Sequence, residues 1–455
     1  MRYLAACLLL TSTAVLAAPD PARRQAERDL FEKIVEIPTV EGRGQMPRLT
    51  SLLKAEFAKA GITNVVIKDH DKTQTLIARW PAAKPSGKKP ILLMAHMDVV
   101  EADPKDWKFD PFTFREEKGY YLGRGSSDNK AALTGIVLAL QNLKRAGFQP
   151  TRDIIVLFTG DEETTANGAR RAATEWRPLI DAEYALNGDA GGGSLFKDGR
   201  VQGFGMQIAE KTYSDFKLAA TNRGGHSSAP RPDNAIYALA AALGRIEAHR
   251  FAPMINEASR TAFQDSAARD GGVYGELVKK FIADPRDRET ADKLEAMSPG
   301  TTRTRCVATM LSGGHAPNAL PQKADANVNC RIFPGVAIEA VKGDLQALAG
   351  PDVTVSVTEN SPPSDPSPLR ADVFDAYKAA VSTRFPGAPV IPVMSAGATD
   401  GAYLRTNGMP VYGFGGLWGI VGESSGAHGL DERVLIEGFH GQVPIWEEML
   451  RRVAG

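Results

Sequence analysis

Two stretches of this chain carry uninterrupted apolar residues, Ile91-Leu92-Leu93-Met94 and Ile154-Ile155-Val156-Leu157-Phe158, and neither shows the alternation of a strand with one wet face. Strands of that composition are covered by helices on both sides, which restricts this part of the chain to an α/β architecture. The helix-patterned stretch 131–144 lies between them and supplies one such cover. Each run ends in residues of opposite character: His96-Met97-Asp98 after the first, Asp161-Glu162-Glu163 after the second. Open α/β sheets bind ligands beyond the carboxyl ends of their strands, so an imidazole and carboxylates gathered there read as a hydrolytic metal site.

Three further pieces carry the same residue types. Gly123-Arg124-Gly125-Ser126-Ser127-Asp128-Asn129-Lys130 falls between the two runs, while Asn187-Gly188-Asp189 and Ala427-His428-Gly429 come later. If His428 completes a site begun by His96, the chain must leave its first domain and return to it. A change of style near residue 212 marks the departure. A strand pattern at 215–220 is followed by a Gly/Ser/Pro turn, an Ala-rich helix at 234–249 and a polar helical stretch. Strands at 303–311 and 326–333, a helix at 338–348 and a strand at 353–357 complete a split βαβ order. Ala326, Val328, Cys330 and Ile332 alternate with Asn327, Asn329 and Arg331, so this second sheet has one buried face. The Ser/Pro/Asp-rich segment 360–368 reads as the return linker. The expected division is therefore 19–211 and 361–455 for one domain and 212–360 for the insertion.

Equal numbers of basic and acidic side chains, 54 each, argue against a nucleic-acid partner or a broad anionic-membrane surface. At the start, Arg2 precedes the apolar run 4–16 and the small residues Ala17 and Ala18, which reads as a signal peptide over 1–18. The mature chain is then exported, periplasmic or secreted, with no membrane attachment after cleavage. Export permits disulfides, and Cys306 and Cys330 lie symmetrically about Asn318 on two expected strands. A cross-strand bridge and a pair of buried thiols both remain open at this point.

The ordered set of motifs resembles the M20 family of zinc metallopeptidases, which includes carboxypeptidases, dipeptidases, amino-acid deacylases and the desuccinylase of lysine biosynthesis. The resemblance spans nearly all of the mature chain. It implies a phosphorylase/hydrolase-like α/β catalytic domain, with a mixed sheet and helices on both faces, plus an inserted ferredoxin-like α+β lid and dimerisation domain. It also implies two divalent metal ions, Zn²⁺ first, with Mn²⁺ or Co²⁺ as alternatives. Asp128 would bridge them, His96 and Asp189 completing one site and Glu163 and His428 the other. Asp98 would fix the ring of His96, since residues two apart on a strand share a side. Glu162 resembles the family's general base.

The same resemblance implies that His226, in Gly-Gly-His-Ser-Ser, reaches the oxyanion from the lid of a partner subunit. Asn318 and Arg331 match residues that bind the substrate carboxylate or the scissile carbonyl. Arg presents a planar fork suited to a carboxylate. Gly397 and Thr399 match a loop near the substrate backbone. His70, His249, His315 and His440 fall outside the matched positions and read as surface or structural residues. The expected activity is hydrolysis of a short peptide to release an amino acid, of carboxypeptidase or dipeptidase type. An N-acyl-amino-acid deacylase is the competing enzyme reading, and a metal-binding homodimer without turnover is the non-enzymatic one.

Overall fold

The computed structural model describes residues 20–455, and the expected signal peptide at 1–18 lies outside them. The two apolar runs form the strands Ile91–His96 and Ile154–Thr159, in which every residue is buried. Ile91 and Leu93 join the core on one side of the sheet, while Leu92 and Met94 join the cluster on the other, which explains the missing alternation. Helices Lys130–Arg145 and Ile436–Ala454 pack on the first side. Helices Asn167–Ala173 and Gly401–Thr406 cover the second.

The sheet has ten strands. Its order is Asn64–His70, Thr73–Trp80, Ile154–Thr159, Ile91–His96, Tyr184–Asn187, Val411–Gly413, Val201–Glu210, Gly192–Leu195 and Trp418–Ile420, with Val390–Ser395 beside Val201–Glu210. The central strands are parallel, with His96 opposite Thr159, and Asn187 opposite both Met94 and Gly413. This register brings the loops that follow His96, Thr159 and Asn187 out at one edge. Strand Val201–Glu210 has no counterpart among the expected elements, because its glycines at 203 and 205 break the apolar pattern.

Four antiparallel strands make the lid sheet, in the order Arg305–Gly313, Lys323–Ile332, Thr212–Thr221 and Val353–Asn360. Helices Ala235–Ala248 and Ile338–Ala349 bury Leu239, Ala242, Val341 and Leu345 against one face. That is the arrangement of a ferredoxin-like split βαβ unit. In strand Lys323–Ile332 the alternation is as expected, with Ala326, Val328, Cys330 and Ile332 buried. The edge strand Arg305–Gly313 differs, since Val307, Met310 and Leu311 are 60%, 70% and 70% exposed. A disulfide between the directly opposed Cys306 and Cys330 ties that edge to its neighbour. The polar stretch before it folds into helices Glu257–Asp270, Gly272–Ala283 and Arg288–Met297 around a separate small core of Phe263, Val278, Phe281 and Leu294. Among the described residues no helix is long and apolar enough to cross a membrane.

Candidate metal centre and active site

The carboxyl edge of the parallel strands gathers the ligand-type residues into two triads that share Asp128. His96 Nε2 lies 2.9 Å from Asp128 Oδ1 and 3.5 Å from Asp189 Oδ1. His428 Nε2 lies 3.2 Å from Asp128 Oδ2 and 2.9 Å from Glu163 Oε2. Within each triad one donor atom per residue falls inside 4.8 Å of the others, and His96, Glu162 and Glu163 form a third such group. Four carboxylates thus converge on two imidazoles. The excess of negative charge and the mixed imidazole and carboxylate donors fit divalent ions of the zinc class.

The local field agrees with that fit. Burial opposes charge on His96, but the charge of Asp189 and hydrogen bonds with Asp128 and Asp189 raise its pKa well above the usual value. Hydrogen bonds with Asp128 and Glu163 raise His428 to about 10. Burial would push Asp128 up, yet hydrogen bonds from His428 and His96 hold it below the ordinary carboxylate range. Asp189 moves the other way, to about 6, because burial outweighs the attraction of His96. Burial raises Glu162 well above the usual value, with Asp189, Asp400 and Glu163 adding repulsion. A carboxylate lifted toward neutrality is suited to accept and return a proton.

Asp98 stands beside the His96 ring and touches the glutamate turn as well. The strand ends at His96, and it is the backbone carbonyl of Asp98 that meets His96 Nδ1, at 3.1 Å. The buried carboxylate lies 3.5 Å from that nitrogen and also accepts the backbone N–H groups of Glu162 at 3.1 Å and Glu163 at 2.9 Å. Asp98 therefore fixes the turn that presents both glutamates. Asp189 Oδ1 accepts from Asn129 Nδ2 at 2.6 Å, which anchors it beside the Asp128 loop.

Glu432 was not singled out by the sequence, yet it joins the two loops that carry Asp128 and His428. Its carboxylate, fully buried, accepts the backbone N–H groups of Gly125, Ser127 and Asp128 at 2.9, 2.8 and 2.9 Å. It also pairs with Arg124 Nη1 at 2.7 Å, while Arg124 Nη2 donates to the carbonyl of Gly429 at 2.9 Å. The available signal was an acid four residues after a ligand histidine, but nothing in the sequence couples it to Arg124. His428 itself is exposed and has a positive φ of 59°. The buried Lys130 ammonium donates to the carbonyl of Ile37 at 2.6 Å and ties the same loop to the first helical segment.

Thr399 and Gly397 do not share one environment. Thr399 is buried, and its hydroxyl donates to Glu210 Oε2 at 2.9 Å and accepts from Asn187 Nδ2 at 3.3 Å, next to the ion pair of Glu210 with Arg405. Asn187 Oδ1 in turn accepts from the backbone N–H of Asp189 at 3.1 Å, so this network supports the Asp189 loop. Gly397 is exposed and donates to Ser395 Oγ at 3.0 Å.

In the lid, Gly225–His226 pairs with Ala319–Leu320 in a two-stranded ribbon, and Ser227 N donates to the carbonyl of Asn318 at 3.0 Å. His226 and Asn318 are thereby neighbours, both exposed. His226 Nδ1 accepts from Ser228 Oγ at 2.7 Å, and among the described residues no hydrogen bond links it to the ligand triads. The guanidinium of Arg331 stacks 4.8 Å from the ring of Tyr213.

A family model described as Peptidase family M20/M25/M40 matches residues 92–452. The chain is 26% identical over 453 residues to N-fatty-acyl-amino acid synthase/hydrolase PM20D1.1 of Danio rerio, which covers 95% of this chain and 86% of that protein. It is 26% identical over 394 residues to the probable carboxypeptidase S-like 2 of Dictyostelium discoideum, covering 83% of this chain and 74% of that one. Among solved structures, the M20 family metallo-carboxypeptidase Sso-CP2 from Sulfolobus solfataricus superposes with a TM-score of 0.71 at 18% identity, over 93% of this chain and 98% of that chain.

Proposed function

The chain belongs to peptidase family M20/M25/M40, and from that premise we propose that it is an exported dinuclear-metal amidohydrolase that releases an amino acid from an N-acylated or peptide-bonded form. The observation that carries this reading is the pair of ligand triads sharing Asp128, with Glu162 beside both. Two divalent ions, held by His96, Asp128 and Asp189 and by Asp128, Glu163 and His428, would lower the pKa of a water and polarise the scissile carbonyl. Glu162 takes the proton of that water and returns it to the leaving amine. Asp98 and Glu432 keep the ligand loops in register while this happens. Arg331 and Asn318 bind the free carboxylate of the substrate. His226, supplied by the lid of a second copy of the chain, hydrogen-bonds the oxyanion, which makes the active species a homodimer.

Short peptides cleaved in the carboxypeptidase or dipeptidase manner are the first substrate class. The likeness to an N-fatty-acyl-amino acid synthase/hydrolase along almost the whole chain favours N-acyl amino acids as the second. Amine release from dipeptides and from N-fatty-acyl amino acids, assayed side by side on mature protein reloaded with Zn²⁺, Mn²⁺ or Co²⁺, separates the two classes. The Glu162→Gln variant tests the chemistry: kcat falls by about 10²–10⁴ with metal content unchanged. Undiminished turnover would remove Glu162 from the proton transfer.

A further inference from the structure

A second group of metal-ligand type stands behind the turn that carries Glu162 and Glu163. His70 closes the strand Asn64–His70, and its side chain is fully buried. Its Nε2 is hydrogen-bonded to Thr75 Oγ1 at 2.9 Å, and the ring packs edge-on against Trp176 with centroids 5.5 Å apart. Its Nδ1 has no hydrogen-bond partner. That nitrogen faces two carboxylates, with Asp71 Oδ2 at 3.5 Å and Asp161 Oδ2 at 3.9 Å. A buried ring nitrogen aimed between two carboxylates, yet bonded to neither, lacks the partner that buried polar groups normally have.

The spacing matches an ion between the three groups. Metal–ligand bonds of about 2.0–2.2 Å in a tetrahedron separate neighbouring ligand atoms by roughly 3.3–3.6 Å; the His70–Asp71 separation of 3.5 Å falls in that range, His70–Asp161 at 3.9 Å lies just beyond it, and all three atoms are within 4.8 Å of one another. The carboxylates retain acceptor capacity. Asp161 receives Thr165 Oγ1 at 2.7 Å and the Gly168 N–H at 3.0 and 3.2 Å, and Asp71 receives Asn167 Nδ2 at 3.0 Å. Each carboxylate oxygen offers two lone-pair directions: Asp71 Oδ2 uses one on Asn167, while Asp161 Oδ2 takes Thr165 and a longer share, at 3.2 Å, of the Gly168 N–H that Oδ1 accepts at 3.0 Å, the bond a metal on Oδ2 would displace. A cavity of about 340 Å³, bordered by Asp71, Thr73, Asp161 and Thr165, leaves room for water as a further ligand.

We propose that His70 Nδ1, Asp71 Oδ2 and Asp161 Oδ2 bind a divalent cation of the zinc class, separate from the ions at His96 and His428. One imidazole with two carboxylates is also the composition of each triad around Asp128. Such an ion ties the hairpin at Asp71 to the Asp161 turn, which immediately precedes Glu162. The rival account is a protonated His70 paired directly with Asp161, without metal.

Counting Zn²⁺ per chain decides between them. Mature protein is stripped with chelator, dialysed against Zn²⁺ and assayed by atomic emission. The expected count is three for the wild type and two for both His70→Gln and Asp71→Asn. Asp71 sits at φ +48° on a partly exposed turn, and Asn tolerates that conformation as well as Asp does, so the second variant keeps its fold even where the first does not. Equal counts in the wild type and Asp71→Asn overturn the proposal. A wild-type count of two that falls to one in Asp71→Asn supports this site while removing an ion from the centre at Asp128, so the two readings fail separately.

Discussion

At the carboxyl edge of the large sheet, His96, Asp128, Asp189, Glu163 and His428 meet within one chain, whereas in the lid His226 and Asn318 stand exposed on a short ribbon without contact to them. The first region is preorganised by buried partners. Asp98 holds the Glu162–Glu163 turn, Glu432 holds the Asp128 and His428 loops, and the Glu210 network holds Asp189. The second region has its own core, built under helices Ala235–Ala248 and Ile338–Ala349, but His226 and Asn318 lie outside it, on the ribbon. The triads are held by many local bonds, while under the proposed function the lid residues would act only by approaching them. Damage to the two regions should therefore look different, stability and metal loss in one and turnover alone in the other.

The strongest test of that contrast is Glu432→Ala. The substitution leaves Arg124 as an uncompensated buried charge and three loop N–H groups without their acceptor. Breaking a buried pair in this way costs about 3–5 kcal/mol. Urea unfolding should register that loss, and zinc affinity should fall with it because the loops of Asp128 and His428 separate. A variant as stable and as zinc-avid as the wild type would show that the loops hold themselves. His226→Ala is the counterpart. It should lower kcat by about 10²-fold, in the range of a lost oxyanion donor, without change in melting temperature or zinc content. Loss of zinc in that variant would contradict its placement away from the triads.

Smaller still is the effect expected at the lid edge. Val307, Met310 and Leu311 expose apolar area on an edge strand paired on one side only, the feature that edge strands otherwise mask. If a second copy covers it, Leu311→Lys should shift the species seen by light scattering from dimer to monomer and lower turnover while sparing zinc binding. A wild type that is already monomeric at assay concentration would remove both the dimer and the role of His226 in trans.

The contrast also explains what could be read from the sequence. The strands Ile91–His96 and Ile154–Thr159 were legible because continuous burial needs continuous apolar residues, and the ligand types stand directly at their ends. The single buried face of the lid sheet was legible from the alternation around Cys330, and the split βαβ order from the succession of strand and helix patterns. Strand Val201–Glu210 was not, since glycines replace the side chains that would show a period. Glu432 and Glu210 were hidden for another reason. Their partners Arg124, Asn187 and Thr399 are distant in sequence, and buried networks leave no local pattern. Asp98 lies past the end of its strand, so spacing along a strand could not show its bonds to the N–H groups of Glu162 and Glu163. His70, set aside as surface or structural, proved buried.

The junction of the two regions offers the mildest test, and it depends on pH. Lys211 lies between strand Val201–Glu210 of the large sheet and strand Thr212–Thr221 of the lid. Its backbone N–H donates to the Ser395 carbonyl at 3.1 Å, and its fully buried ammonium donates to the carbonyl of Arg303. Burial lowers its pKa to about 8, with Glu295 opposing the shift, against roughly 10.4 for an unfolded lysine. Between these values the unfolded chain binds a proton that the folded chain does not, so stability contributed by this group rises with pH across that window. Below it, charged Lys211 imposes a constant cost. Denaturant midpoints of the wild type and Lys211→Met at pH 7, 8.5 and 10 isolate the effect. The difference should stay flat to about pH 8 and then move in favour of the wild type, by at most about 1.4 kcal/mol per pH unit. A difference independent of pH would mean that the ammonium is solvated, and that the two domains meet across a wetter junction than the burial of Lys211 implies.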